Sequence, residues 1–139
     1  MISTYLTGLS HLGLPVTDIE RSRAFYRALG FEEVMQTDLR AGDESVHVCM
    51  MSMGGFILEM YQLVGEEGAE IARRGDGHID HVALDVSDID ASFSAVRAMG
   101  LETLQDAPVY LPFWERGIRY FIFRGPDGEK IEFCQRLPA

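Results

Sequence analysis

The chain has 139 residues, 47% hydrophobic and 24% charged, enough for one compact domain that buries roughly two thirds of its unfolded surface. With 22 acidic against 12 basic side chains its formal net charge is −10, a balance that repels a phosphate backbone and excludes nucleic acid from the expected partners. The opening MISTYLTGLSH lacks the charged and long apolar regions of a secretion signal and no run of eighteen apolar residues follows, so the expectation is a cytoplasmic protein that neither spans nor binds a membrane, with Cys49 and Cys134 reduced.

The first element is a strand over 9–16, in which Leu12, Leu14 and Val16 alternate with His11, Gly13 and Pro15. Thr17 with Glu20 predicts a capping box and a helix start, and Gly30 predicts its left-handed end. Between them Ile19, Ser22, Phe25, Tyr26 and Leu29 recur at three-and-four spacing, one face to cover a sheet. Strands over 33–37, 46–53 and 56–64 follow, the last two joined at Gly54 and Gly55. The methionines at 50, 51, 53 and 60 are expected to fill core gaps. A polar joint over 65–77, with a short helical turn at 69–73, leads to a strand opening on His81. Ser87 with Asp90 starts the next helix, Ile89, Phe93, Val96 and Met99 form its face, and Gly100 ends it. Strands over 102–107, 118–123 and 130–136 close the chain, with GPDGE at 125–129 as the hairpin turn.

The two halves are one pattern written twice. The segment 11–34 recurs seventy residues on as 81–104 with ten of twenty-four positions identical, among them His11/His81, Val16/Val86, Asp18/Asp88, Ile19/Ile89 and Gly30/Gly100. The expected fold is therefore α+β: two tandem βαβββ modules (about 8–64 and 78–137, linker 65–77) in a single domain, paired about a pseudo-twofold because neither unit closes a core alone. Each half also ends in an apolar strand holding one glutamate, Glu59 in FILEMYQL and Glu132 in EKIEFCQRL. Taken singly, such a glutamate is an ordinary half-solvated strand residue and a strand histidine an ordinary hydrogen-bonded one. Jointly, two histidines and two carboxylates in matched places point to a divalent metal held by His11, Glu59, His81 and Glu132. Imidazole and carboxylate without thiolate suit zinc, nickel, cobalt, manganese or iron(II), with open positions for a ligand; the expected ion is nickel, cobalt, zinc or manganese, and iron is less expected. A Lewis-acidic ion beside a carboxylate base is the equipment for moving a proton next to a carbonyl.

HLGLPVTDIERSRAFYRALGF, FILEMYQL, HIDHVALDVSDIDASFSAVRAMG and FRGPDGEKIEFCQ together resemble the vicinal oxygen chelate superfamily, the glyoxalase/bleomycin resistance/dioxygenase group, over about 9–137. The resemblance implies curved mixed sheets enclosing a cleft with helices outside, and a metal at its floor. It places His11, Glu59, His81 and Glu132 where glyoxalase I-like members carry their ligands. The resemblance then implies Glu132 as the catalytic base, with Glu59 as a second catalytic carboxylate. Members with three ligands, such as extradiol dioxygenases and fosfomycin thiol transferases, typically lack a carboxylate at the Glu59 position. Bleomycin-binding members usually lack the set altogether. Methylmalonyl-CoA epimerase resembles the chain in module layout but typically carries Gln at the Glu59 position and needs a further carboxylate base, for which Glu32, Glu33 and Glu44 are unassigned.

The resulting expectation is a lactoylglutathione lyase-like enzyme acting by enediolate proton transfer on a small carbonyl compound or its thiol adduct. The alternatives are an antibiotic- or metabolite-binding resistance protein, or an epimerase-like isomerase. The family resemblance implies a homodimer, with the cleft completed within one chain or across two. In the loop 105–117, Tyr110, Phe113 and Trp114 are candidates for an aromatic lid, and Arg116 or Arg119 for holding a substrate carboxylate or phosphate.

Overall fold

A computed structural model of the protein describes residues 1–28, 30–74, 79–124 and 130–138. Leu29 and the GPDGE turn named above lie outside the described residues, as does His78. The chain divides into two compact units, His11–Asp80 and Met1–Ser10 with His81–Ala139, called here the first and second modules. Strand β1 (Leu6–Pro15) begins in one and ends in the other.

The first module continues with α1 (Ile19–Ala28), β2 (Glu32–Ala41), β3 (Glu44–Met53), β4 (Phe56–Gln62) and α2 (Gly65–Arg73). Its strands lie in the order β2-β3-β4-β1, antiparallel except for the parallel β4·β1 pair. The second module holds β5 (His81–Val86), α3 (Ile89–Ala98), β6 (Val109–Leu111), β7 (Ile118–Arg124) and β8 (Lys130–Arg136). Its order β6-β7-β8-β5 repeats the plan, with β8·β5 parallel. Both modules are thus α+β units of βαβββ order.

The helices start one residue later than the capping boxes predict. Asp18 Oδ1 accepts from the Arg21 amide at 3.1 Å and Asp88 Oδ1 from the Ala91 amide at 3.0 Å, so aspartate is the N-cap in both. Thr17 instead accepts from the Arg21 guanidinium. Both helices end as expected. Gly30 (φ 103°) donates to Arg27 O while Phe31 donates to Tyr26 O, and Gly100 (φ 77°) with Leu101 repeats both bonds to Arg97 and Val96.

Ile19 packs with Cys49, Met51, Leu58 and Met60 in the first core, and Ile89 and Val96 pack with Phe121, Phe123 and Phe133 in the second. Phe25 and Met99 do not join these faces, being 58% and 60% exposed. Met99 is the C-cap, where the helical stripe has ended, and Phe25 sits at the stripe's edge with its ring on Tyr26. Met53 likewise falls at the exposed end of β3, whereas Met50, Met51 and Met60 are fully buried.

Three expectations change. The joint over 65–77 contains a two-turn helix, α2, with acidic Glu66 and Glu67 in its first turn and Arg73 in its last, complementing the helix dipole. The N-terminal residues belong with the second module: Ile2 and Tyr5 pack on its core and Tyr5 O accepts from the Ser87 amide. The strand expected over 102–107 is broken. Thr103 bridges Phe123, and pairing with β7 resumes only at Val109, because Pro108 has no amide to donate and Gln105 turns its side chain in to accept from the Ile122 amide at 2.7 Å.

Candidate metal and active site

Parallel pairing puts the histidine and glutamate of each module in the same relative place. In the first, Glu59 of β4 lies in register with Gly13 of β1, and His11 stands two residues before that glycine on the same strand face. In the second, Glu132 of β8 lies in register with Ala83 of β5, and His81 stands two residues before the alanine. Small residues at the paired positions leave the glutamate room to turn toward the imidazole. His11 Nε2 is 3.6 Å from Glu59 Oε1, and His81 Nε2 is 3.1 Å from Glu132 Oε2. All four residues are buried, none more than 8% exposed.

Helix-facing neighbours confirm which side of each sheet these groups occupy. Leu58 and Met60 flank Glu59 and belong to the core under α1; Phe133 and Gln135 belong to the α3 side of β8. Glu59 and Glu132 therefore point away from the helices. A carboxylate in such apolar surroundings costs several kcal/mol unless it is paired or bound to a cation. Two donors on one ion at right angles and about 2.1 Å from it lie about 3 Å apart. The second pair has that spacing and the first, at 3.6 Å, is wider; both offer the nitrogen and oxygen donors that a borderline divalent ion takes.

The remaining candidates separate by strand alternation. Arg119 of β7 is in phase with Phe121 and Phe123 on the helix side, and its two terminal nitrogens lie 2.8 and 2.9 Å from the Asp90 carboxylate of α3. That pairing holds the Asp90 carboxyl below its ordinary pKa, through the hydrogen bonds first, and raises that of Arg119. Tyr110 is in register with Arg119 and shares that side, so neither is on the face of Glu132. Phe113 is buried and anchors the loop, Trp114 is half-buried, and Arg116 is exposed in the turn.

Two residues that pattern reading passed over are matched across the modules. Gln62 Oε1 accepts from the Ile19 amide at 2.8 Å, and Gln135 Oε1 accepts from the Ile89 amide at 2.9 Å. Each glutamine ties the first turn of its helix to the strand that carries the glutamate, three residues away. Comparing EMYQ at 59–62 with EFCQ at 132–135 is the sequence signal for them.

Cys134, beside Glu132 on the same strand face, has its thiol pKa pushed far up, mainly by burial and then by the Glu132 charge. Burial raises the Cys49 thiol to about 11. Neither is a nucleophile at neutral pH.

The model of the glyoxalase/bleomycin resistance protein/dioxygenase superfamily matches residues 8–133. The chain belongs to this superfamily. A Bacillus subtilis (strain 168) protein, YwbC, itself uncharacterised, is 31% identical over 138 residues, covering 92% of this chain and 97% of its own. Among solved structures, Mycobacterium tuberculosis methylmalonyl-CoA epimerase superposes with a TM-score of 0.78 at 22% identity, covering 96% of this chain and 91% of that one. A Streptomyces coelicolor methylmalonyl-CoA epimerase in complex with 2-nitronate-propionyl-CoA gives 0.77 at 25% identity, covering 96% and 99%. The superfamily thus includes enzymes of this architecture, and among the described residues no helix is long and apolar enough to cross a membrane.

Proposed function

We propose that this superfamily member is a metal-dependent lyase or isomerase of the glyoxalase I type, acting on a small carbonyl compound or its thiol adduct. His11, Glu59, His81 and Glu132 would together hold one divalent ion, nickel, cobalt, zinc or manganese, in a site built within one chain or across a homodimer. The observation that carries the reading is the buried His–Glu pair repeated in each module at 3.6 and 3.1 Å. When bound, such an ion supplies Lewis acidity to a carbonyl oxygen. Glu132 takes the proton from the carbon next to that carbonyl and returns it to the neighbouring carbon, while the apolar strands around it keep water from competing. Glu59 is the second carboxylate able to share that transfer. The cytoplasmic setting rests on the sequence, in which the two cysteines have no spacing of a disulfide framework.

The epimerase neighbours favour a second reading, proton transfer next to the thioester of an acyl-CoA. It needs another carboxylate, and the first module offers few. Glu33 is bound by Arg23 on the helix side, whereas Glu32, in register with Ser52, and Glu44, in phase with Val48 and Met50, are exposed carboxylates on the strand face that Glu59 shares. The glyoxalase-type reading is carried instead by the carboxylate at position 59, where epimerases typically hold Gln, and Glu32 and Glu44 are the residues the epimerase reading would use.

The test is to strip the protein with chelator, reload it with each metal, and assay methylglyoxal with several thiols alongside solvent deuterium uptake by an acyl-CoA. The expected result is one ion per chain and turnover that Glu132→Gln lowers about 10²–10⁴-fold with the folded state intact. Unchanged turnover in that variant would remove Glu132 from the chemistry. Failure of every metal to bind or stabilise the protein would remove the metal.

A further inference from the structure

We infer that Arg136, laid flat on Trp114, is a binding residue for an anionic group, a carboxylate or phosphate, at the far end of the substrate from the reacting carbon. It rests on the reading above only in taking Glu132 as the reacting end.

Glu132, Cys134 and Arg136 alternate on one face of β8, opposite Gln135, whose side chain bonds the first turn of α3. Arg136 therefore shares the glutamate's face, four residues and roughly 13 Å along the strand. Its guanidinium carbon sits 3.5 Å from the centroid of the Trp114 ring. The arginine is exposed and, among the described residues, forms no ion pair. A guanidinium stacked on an indole keeps its N–H edge open, and that planar edge matches the two oxygens of a carboxylate or phosphate.

The platform is built, and at a conformational cost. Trp114 has φ 63°, the one described residue other than glycine in the left-handed region. A bulky aromatic there is an outlier that its surroundings must impose. Those surroundings are visible on both sides of it. Phe113 is buried next to it, and the Leu137 amide, just past Arg136, donates to Gly117 O at 2.9 Å, tying the loop to the end of β8. Gly117 (φ 101°) itself takes no side chain, because a Cβ would fall 2.3 Å from the Tyr110 ring. A loop pinned this way, with its strained residue spent on covering an exposed arginine, has the form of a preorganised contact. Arg119, the earlier candidate for the same task, is already occupied by Asp90.

Trp114 is the chain's single tryptophan, so its fluorescence reports on this site without any turnover or metal. The experiment titrates the metal-free protein with S-methylglutathione as carboxylate probe, coenzyme A as phosphate probe and 2-mercaptoethanol as neutral control. A saturable change with one or both anions and none with the neutral thiol is expected, and the responding probe identifies the anion. Arg136→Gln should weaken that binding tenfold or more, and Arg136→Lys, which keeps the charge but loses the flat fork, should restore little of it. Trp114→Gly, followed by calorimetric titration, should keep the fold, because glycine accepts φ 63°, yet lose affinity. With an active metal-loaded enzyme, Arg136→Gln should raise KM for anionic thiol adducts with kcat unchanged. Absence of anion binding by the wild type, or equal binding by Arg136→Gln, overturns the assignment. Anion binding without proton transfer leaves it standing and removes only the reading of the reaction.

Discussion

In the first module the buried core under α1 is sulfur and aliphatic, Cys49, Met51, Met60 and Leu58, with the rings of Tyr26, Phe31 and Phe56 only partly buried at its margin; in the second the core is itself a stack of rings, Phe93 on Phe121 at 5.0 Å and Phe123 on Phe133 at 4.9 Å, both nearly edge-to-face. The same strand order and the same helix caps accommodate both fillings. What is matched between the modules is set by hydrogen-bonding geometry: the aspartate caps, the glycine ends, the glutamines that hold the helices, and the His–Glu pairs. What differs is packing chemistry and the outer edge. The first edge is the ten-residue β2; the second is interrupted between Thr103 and Val109 and followed by the loop bearing Trp114. A duplicated unit can thus keep its His–Glu pair, caps and helix ties while its core filling and outer edge diverge.

The contrast between cores can be broken most sharply by substitution. Phe121→Ala should cost about 3–5 kcal/mol in denaturant unfolding, because it removes the ring shared by three aromatic contacts. Met51→Leu should cost less than about 1.5 kcal/mol, since a similar volume is kept in an adaptable setting. Comparable losses would mean the sulfur-lined core is as tightly specified as the aromatic one.

The matched parts should behave alike. Gln62→Ala and Gln135→Ala are each expected to lower stability by about 1–2 kcal/mol, measured as urea midpoints, for the lost bond to a helix-start amide, with the larger loss at Gln135, whose Nε2 also donates to Ser87 O. A large difference between them would show that the two helices are held by different means.

The smallest effect is the pH response of the thiols. Burial raises Cys49 from 9.0 to about 11, so the folded state keeps a proton that the unfolded chain releases earlier. Its contribution to stability is full below pH 9 and is lost as pH rises through about 11. Cys49→Ala should flatten that part of the stability profile, and in the native protein at pH 8 both thiols should react slowly with a disulfide reagent.

The sequence by itself determined the repeat, the βαβββ order and the positions of His11, Glu59, His81 and Glu132, because side-chain alternation and helical periodicity are local rules that residue spacing expresses directly. It also marked both helix starts, missing the cap by one residue because Thr17 and Asp18, or Ser87 and Asp88, are both capping types and only the backbone trajectory chooses between them. Tertiary structure alone decided the rest. The facing of Gln62 and Gln135 depends on a helix returning over their strand, the capture of Arg119 depends on Asp90 from another element, and the left-handed turn of Trp114 depends on Leu137 and Gly117 closing a loop against β8. These are contacts between residues distant in the chain, whose energies no local pattern records, and they separate an arginine that is occupied from one that remains open.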